Sequence, residues 1–132
     1  DEIISLDDEQ IIGAYRFRED EYFYRGHFPG NPITPGVILI ETMAQVGVVA
    51  FGIYLLSRQK NMRLHDMKLP ISLFSLADGV EFKQIVKPGE RVIVRAKKIY
   101  FRKMTIKAAV SMEKENGEMI CSGELSGVGV EQ

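Results

Sequence analysis

Residues 37–56, VILIETMAQVGVVAFGIYLL, have Glu41, Thr42 and Gln45 as their only polar side chains. No other stretch limits the possible folds as strongly. It predicts a helix over about 36–57, roughly 30 Å long at 1.5 Å per residue. Pro35 suits the first turn of that helix. A helix apolar on all sides either crosses a membrane or is kept dry by protein. Its length suffices for a span. Against a span, Glu41 and Gln45 lie four apart on one stripe near the start, a Pro/Gly-rich aromatic loop leads in, and the rest of the chain reads as amphipathic strand. The expectation is a core helix, with Glu41 buried by its apolar neighbours.

The remaining chain supplies the cover. Residues 3–6 and 11–17 are short apolar runs separated by DDEQ, and read as two strands joined by a turn. Three Pro and three Gly within 26–36 forbid regular structure there, while Tyr22, Phe23, Tyr24 and Phe28 give this loop apolar surface to bury. Ser57 to Asp66 reads as a polar connection. Residues 67–86 read as a strand or bent strand, and Pro88-Gly89 marks a turn. Within 90–100, Val92, Val94 and Ala96 alternate with Arg91, Ile93, Arg95 and Lys97. Two more strands, 103–113 and 118–130, are joined by the hairpin signal Glu115-Asn116-Gly117-Glu118. The sum is one long helix and five to six mostly antiparallel strands, an α+β arrangement. One sheet must curl to keep such a helix dry, and a second subunit is the natural completion.

Composition narrows the class. The 132 residues are 45% hydrophobic and 27% charged, which fits one soluble globular domain over 1–132 and excludes a disordered chain. The single cysteine, Cys121, excludes a disulfide framework and a four-thiolate zinc site, and reads as a core residue in a reducing compartment. Residues 1–10 are acidic and do not resemble a signal peptide. The sequence opens on Asp1 without Met, so further residues upstream are expected. A net charge of −1 gives no footprint for nucleic acid. The charge is uneven, however. Residues 1–21 hold eight acids and two bases, while 83–107 hold nine bases and one acid, Glu90. That band reads either as a surface for an acidic partner or as solvated strand faces.

The chemistry-bearing residues cluster around the start of the helix. His27 sits in Gly-His-Phe-Pro-Gly, Gly36 opens the helix, Glu41 follows about one and a half turns in, and Gln45 lies a turn beyond. A helix N-terminus offers unpaired N–H groups and a positive dipole end. Gly36 has no side chain to block a carbonyl from approaching them. A carboxyl on an apolar helix is costly to bury as an anion, which favours use as a general acid. A nearby histidine supplies a base. Base, acid and oxyanion donors together serve a β-elimination next to an acyl group. The residues equally allow a histidine that only stabilises its loop, and a structural Glu41–Gln45 hydrogen bond.

GHFPGNPITPGVILIETMAQ resembles the signature of the FabZ-type 3-hydroxyacyl-acyl-carrier-protein dehydratases, and FSLADGVEFKQIVKPGERV is similar to their second-half strand and turn. The resemblance implies the hotdog fold, an antiparallel sheet wrapped around one helix. It implies dehydration of (3R)-3-hydroxyacyl thioesters in fatty-acid or related acyl-chain biosynthesis, with no metal and no organic cofactor. It matches His27 and Glu41 to the catalytic pair, contributed by opposite subunits of a homodimer. Gly36, with Val37 beside it, matches the backbone donor, and Gln45 a supporting position. Many members assemble further as trimers of dimers. Glu41 rather than Asp places the chain in the non-isomerising branch. The acidic acyl carrier protein is the implied partner of Lys83, Lys87, Arg102 and Lys103. Tyr100, Phe101, Phe74 and Phe82 are candidates for an acyl tunnel or for plain core. Thr42 replaces the usual Ala, where its hydroxyl could tune Glu41; Thr34 replaces a larger apolar residue and Ile85 a Pro. The segment Leu-Pro-His-Arg-Tyr-Pro-Phe is absent from the given sequence. A hotdog acyl thioesterase and a non-catalytic acyl or carrier-protein binding module are the alternative readings.

Overall fold

Alternation sets the sheet. In β4 (Arg91–Arg102), Val92, Val94 and Ala96 are almost wholly buried, as two-residue periodicity requires. The computed structural model describes residues 2–24, 33–61, 63 and 71–130, with 71–75 described by backbone alone. Around β4 lie β1 (Glu2–Leu6), β2 (Gln10–Arg16), β3 (Ile71–Phe82), β5 (Thr105–Lys114) and β6 (Met119–Val130). They form a six-stranded sheet in the order β1-β2-β4-β5-β6-β3, antiparallel throughout. Register carries buried rows across it. Gly13, Val94, Met112 and Cys121 form one, and Ile11, Ala96 and Val110 the next, which ends at the half-buried Gly123.

The helix α1 (Gly36–Lys60) is long and apolar enough to cross a membrane. Its Leu39, Met43, Val48, Phe51 and Leu55 are no more than 6% exposed and belong to the cluster that packs on the sheet. It is the core helix of this sheet and not a membrane span. Its middle, Gln45–Ala50, is π-helical. There Gly47 lies so close to the sheet that a Cβ would stand 2.8 Å from Val110 Cγ2 and 3.1 Å from Ala96 Cβ. Gly47→Ala is therefore expected to overpack this contact, costing about 1–3 kcal/mol. Urea unfolding measures it, and an unchanged midpoint would show that the helix can back away freely.

Three expectations need correction. The helix runs to Lys60, so Ser57 to Lys60 is not connection. Arg58 and Lys60 occupy its last turn, where cations complement the dipole, and Asn61 ends it in the left-handed region at φ 52. Residues 83–86 leave the strand after β3, which carries two register shifts; residues 67–70 lie outside the described residues. Glu41, expected to be buried by its apolar neighbours, lies instead on a side of the helix that the sheet leaves open. Val37 is 70% exposed, and Glu41 and Gln45 are exposed on the same side, because one sheet covers only part of the cylinder.

The two hairpins differ in how they turn. Between β5 and β6, Gly117 takes φ +92 and its N–H bonds Lys114 O. Between β4 and β5, Arg102 pairs with Thr105, so Lys103 and Met104 make a two-residue turn with φ 48 and 62. Neither residue is Gly or Asn, the usual types for this geometry. Cys121 is fully buried, its Sγ 3.8 Å from Met43 Sδ, and burial pushes its thiol up to about 11.

Candidate active site

The helix start is capped by backbone alone. Pro35 is the N-cap at φ −60, ψ 144, with no side-chain cap. Its carbonyl accepts from the amides of Ile38 at 3.0 Å and Leu39 at 3.3 Å. The amides of Gly36 and Val37 have no acceptor among the described residues, so two donors stand at the positive end of the dipole. The bare face of Gly36 is used by a neighbour. A Cβ there would lie 3.2 Å from the Phe82 ring, and Phe82 is itself half exposed. Phe82 is thus not core but a cover over the helix start.

Glu41 opens onto a cleft of about 470 Å³. Its walls are Ile38, Thr42, Gln45 and Val46 of the helix, Ile3 of β1, and an aromatic group formed by Tyr15, Phe17, Tyr22 and Phe23. Glu41 is exposed rather than buried in the single chain. Neither Glu41 nor Gln45 makes a side-chain hydrogen bond among the described residues, which removes the structural pairing of the two. The Thr42 hydroxyl donates to Ile38 O at 2.8 Å and is committed to the helix backbone instead of to Glu41.

The far wall was not singled out by the sequence. Tyr15 OH donates to Glu21 Oε2 at 2.7 Å, and the Arg18 amide donates to the same oxygen at 3.3 Å. Glu21 is buried. Burial first, and then the Glu21 carboxylate, push the Tyr15 phenol up to about 12. A phenol raised in the folded state stabilises fully below its ordinary value near 10, and that stabilisation is lost as pH rises from 10 to about 12. Urea midpoints followed from pH 8 to 12 are expected to fall across this window, and less steeply in Tyr15→Phe. Equal slopes would remove Tyr15 as a cause. The signal that could have found this wall is an acid, Glu21, set beside the aromatic run.

His27 and Phe28 lie outside the described residues, as does His65, and Phe74 is described by backbone alone. The structure therefore places Gly36, Val37, Glu41 and Gln45 together along the helix start but not His27 with them. The basic band is partly neutralised. Arg91 pairs with Glu2 and Glu115, Arg95 with Glu113, Lys98 with Glu9 and Lys107 with Glu124. Of the carrier-protein candidates, Lys83 and Lys87 flank the segment whose Val86 carbonyl accepts from the Thr34 amide, beside the helix start. Arg102, stacked over Tyr100 at 4.7 Å, is the last residue of β4, and Lys103 follows it in the turn. The 12 residues of β4 separate the two pairs by roughly 35 Å, so one chain does not bring all four together.

Residues 1–125 match the FabA-like domain family. The 3-hydroxyacyl-acyl-carrier-protein dehydratase FabZ of Caldicellulosiruptor saccharolyticus is 36% identical over 126 residues, 95% of this chain and 82% of that protein. Among solved structures, the dehydratase heterocomplex ApeI:P from Xenorhabdus doucetiae superposes with a TM-score of 0.80 at 11% identity, over 100% of this chain and 82% of that one. A hypothetical thioesterase with coenzyme A from Streptococcus pneumoniae gives 0.64 at 11% identity, over 99% and 86%. Such distant likenesses speak to the fold alone. The family match and the identity to a FabZ dehydratase together make this chain a member of the FabA-like domain family, with the hotdog fold and on the side of the FabZ-type dehydratases.

Proposed function

We propose that this chain dehydrates (3R)-3-hydroxyacyl-acyl carrier protein to the trans-2-enoyl thioester and water, without isomerisation. The observation that carries the reading is the open Glu41 carboxyl on the helix whose first amides, Gly36 and Val37, are unpaired among the described residues. In the reaction His27 takes the proton from C2. Charge moves onto the thioester oxygen, held by the Gly36 N–H with Val37 beside it. The C3–O bond breaks and Glu41 gives its proton to the departing hydroxyl, which leaves as water. Gln45, one turn beyond Glu41, supports the site from the cleft wall. Residues 1–132 act as one hotdog unit in a cytoplasmic homodimer, the second copy covering the exposed side of the helix. Lys83 and Lys87, next to the helix start, are the better placed bases for an acidic carrier protein; Arg102 and Lys103 form a second patch.

The test is the reverse reaction. Short trans-2-enoyl thioesters on acyl carrier protein are mixed with the protein, and loss of enoyl absorbance is followed beside a thiol reagent. Absorbance loss that needs both His27 and Glu41 supports the dehydratase. Thiol release would instead identify a thioesterase. Bound acyl ligand that is never consumed would identify a binding module.

A further inference from the structure

Two hydroxyls are buried where apolar groups would serve for packing alone. Tyr24 OH and Thr34 Oγ1 lie 2.7 Å apart, and the two residues are 7% and 4% exposed. Desolvating both hydroxyls for one shared bond gains little net stability, and a matched apolar pair would fill the same space at similar stability. What the bond adds is direction, between residues ten apart in sequence. Those ten span the segment that carries His27, with only Arg25 and Gly26 separating Tyr24 from it along the chain.

Each end of the tie is anchored to the frame. The Thr34 amide donates to Val86 O at 2.8 Å, and Val86 is fully buried. Thr34 leads directly into the Pro35 cap and the helix that bears Glu41. On the other side, the Tyr24 amide donates to Glu21 O at 3.2 Å, and Glu21 is held by Tyr15. The Tyr24 ring packs edge-to-face on Phe23 at 4.6 Å. The bond thus joins the aromatic wall of the cleft to the helix start, and it closes the neck of the segment between them. Closing a neck restricts what the enclosed chain can sample.

We propose that Tyr24 and Thr34 are a positioning pair for His27, fixing where its segment leaves and rejoins the frame without touching substrate. This rests on His27 being the base, as argued above. Thr34→Val, Tyr24→Phe, the double variant and Thr34→Ser test it, by hydration kinetics and by NMR of the histidine rings. Only His27 and His65 contribute ring signals, and His27→Ala assigns them. Thr34→Val is expected to lower kcat about tenfold or more with KM within about threefold, since small misplacements of a reacting group carry such losses. It should move the His27 ring resonance and leave that of His65. Thr34→Ser should restore kcat to within about threefold. The double variant leaves no orphaned hydroxyl, so it should unfold at the wild-type temperature yet remain slow. Wild-type kcat in the double variant would reduce the pair to packing and overturn the proposal. If His27→Ala keeps the wild-type rate, the base reading fails separately, and the ring resonance still decides the positioning. A His27 signal that does not move in Thr34→Val overturns it, and one that moves sustains it.

Discussion

Glu41→Gln is expected to fold as the wild type does and to lose about 10²–10⁴-fold in kcat, the range that general acid–base groups supply. The amide matches the carboxyl in shape and lacks the proton that the leaving hydroxyl needs. Nothing in the fold should resist the change, because Glu41 is exposed and makes no side-chain hydrogen bond among the described residues. Its effect on stability should stay within about 0.5 kcal/mol. KM should move little, so kcat and kcat/KM fall together, as for an interaction made only in the transition state. The paired measurement is enoyl hydration kinetics beside a thermal melt. Full activity in a folded variant would remove Glu41 from the chemistry.

Phe51→Ala should show the opposite pattern, a loss of about 3–5 kcal/mol with near-normal activity per folded molecule. Phe51 is fully buried at the point where the π stretch returns to α-helix. It belongs to the single cluster formed by the helix and the sheet rows. Whole domains are stable by only about 5–15 kcal/mol, so this one ring is a large share. Chemical denaturation gives the loss, and kinetics normalised to the folded fraction give the activity. A loss under about 1 kcal/mol would mean that the core closes over the missing ring far better than cores usually do.

These two residues show what could be read in the sequence and what could not. Val92, Val94 and Ala96 announced a strand face, Asn116-Gly117 a hairpin, and the apolar run a helix, because each is a local pattern with one physical solution. The Lys103-Met104 turn carried no local sign, since strand pairing on both sides imposes a backbone that neither residue favours. The last helical turn reads as connection because Arg58, Gln59 and Lys60 are polar and face solvent, although Asn61 as a left-handed cap is the available clue. The sequence suggests a buried Glu41 because its neighbours along the chain are apolar, but those neighbours point to other sides of the helix. Most of the ion pairs that absorb the basic band run between strands, and helix or strand period alone does not reveal them. Thr34 stood out only as a departure from the family pattern. Its partner Tyr24 was visible just as one more aromatic in a loop.

The unequal hairpin turns also bear on the order in which the sheet assembles. Gly117 adopts its positive φ without steric cost, so β5 and β6 can meet early as a local unit. Lys103 and Met104 must both enter the left-handed region before β4 can pair with β5, which penalises that hairpin while few contacts repay it. Nucleation should therefore begin at the Asn116-Gly117 end of the chain, with β4 and the long helix condensing onto a hairpin already formed.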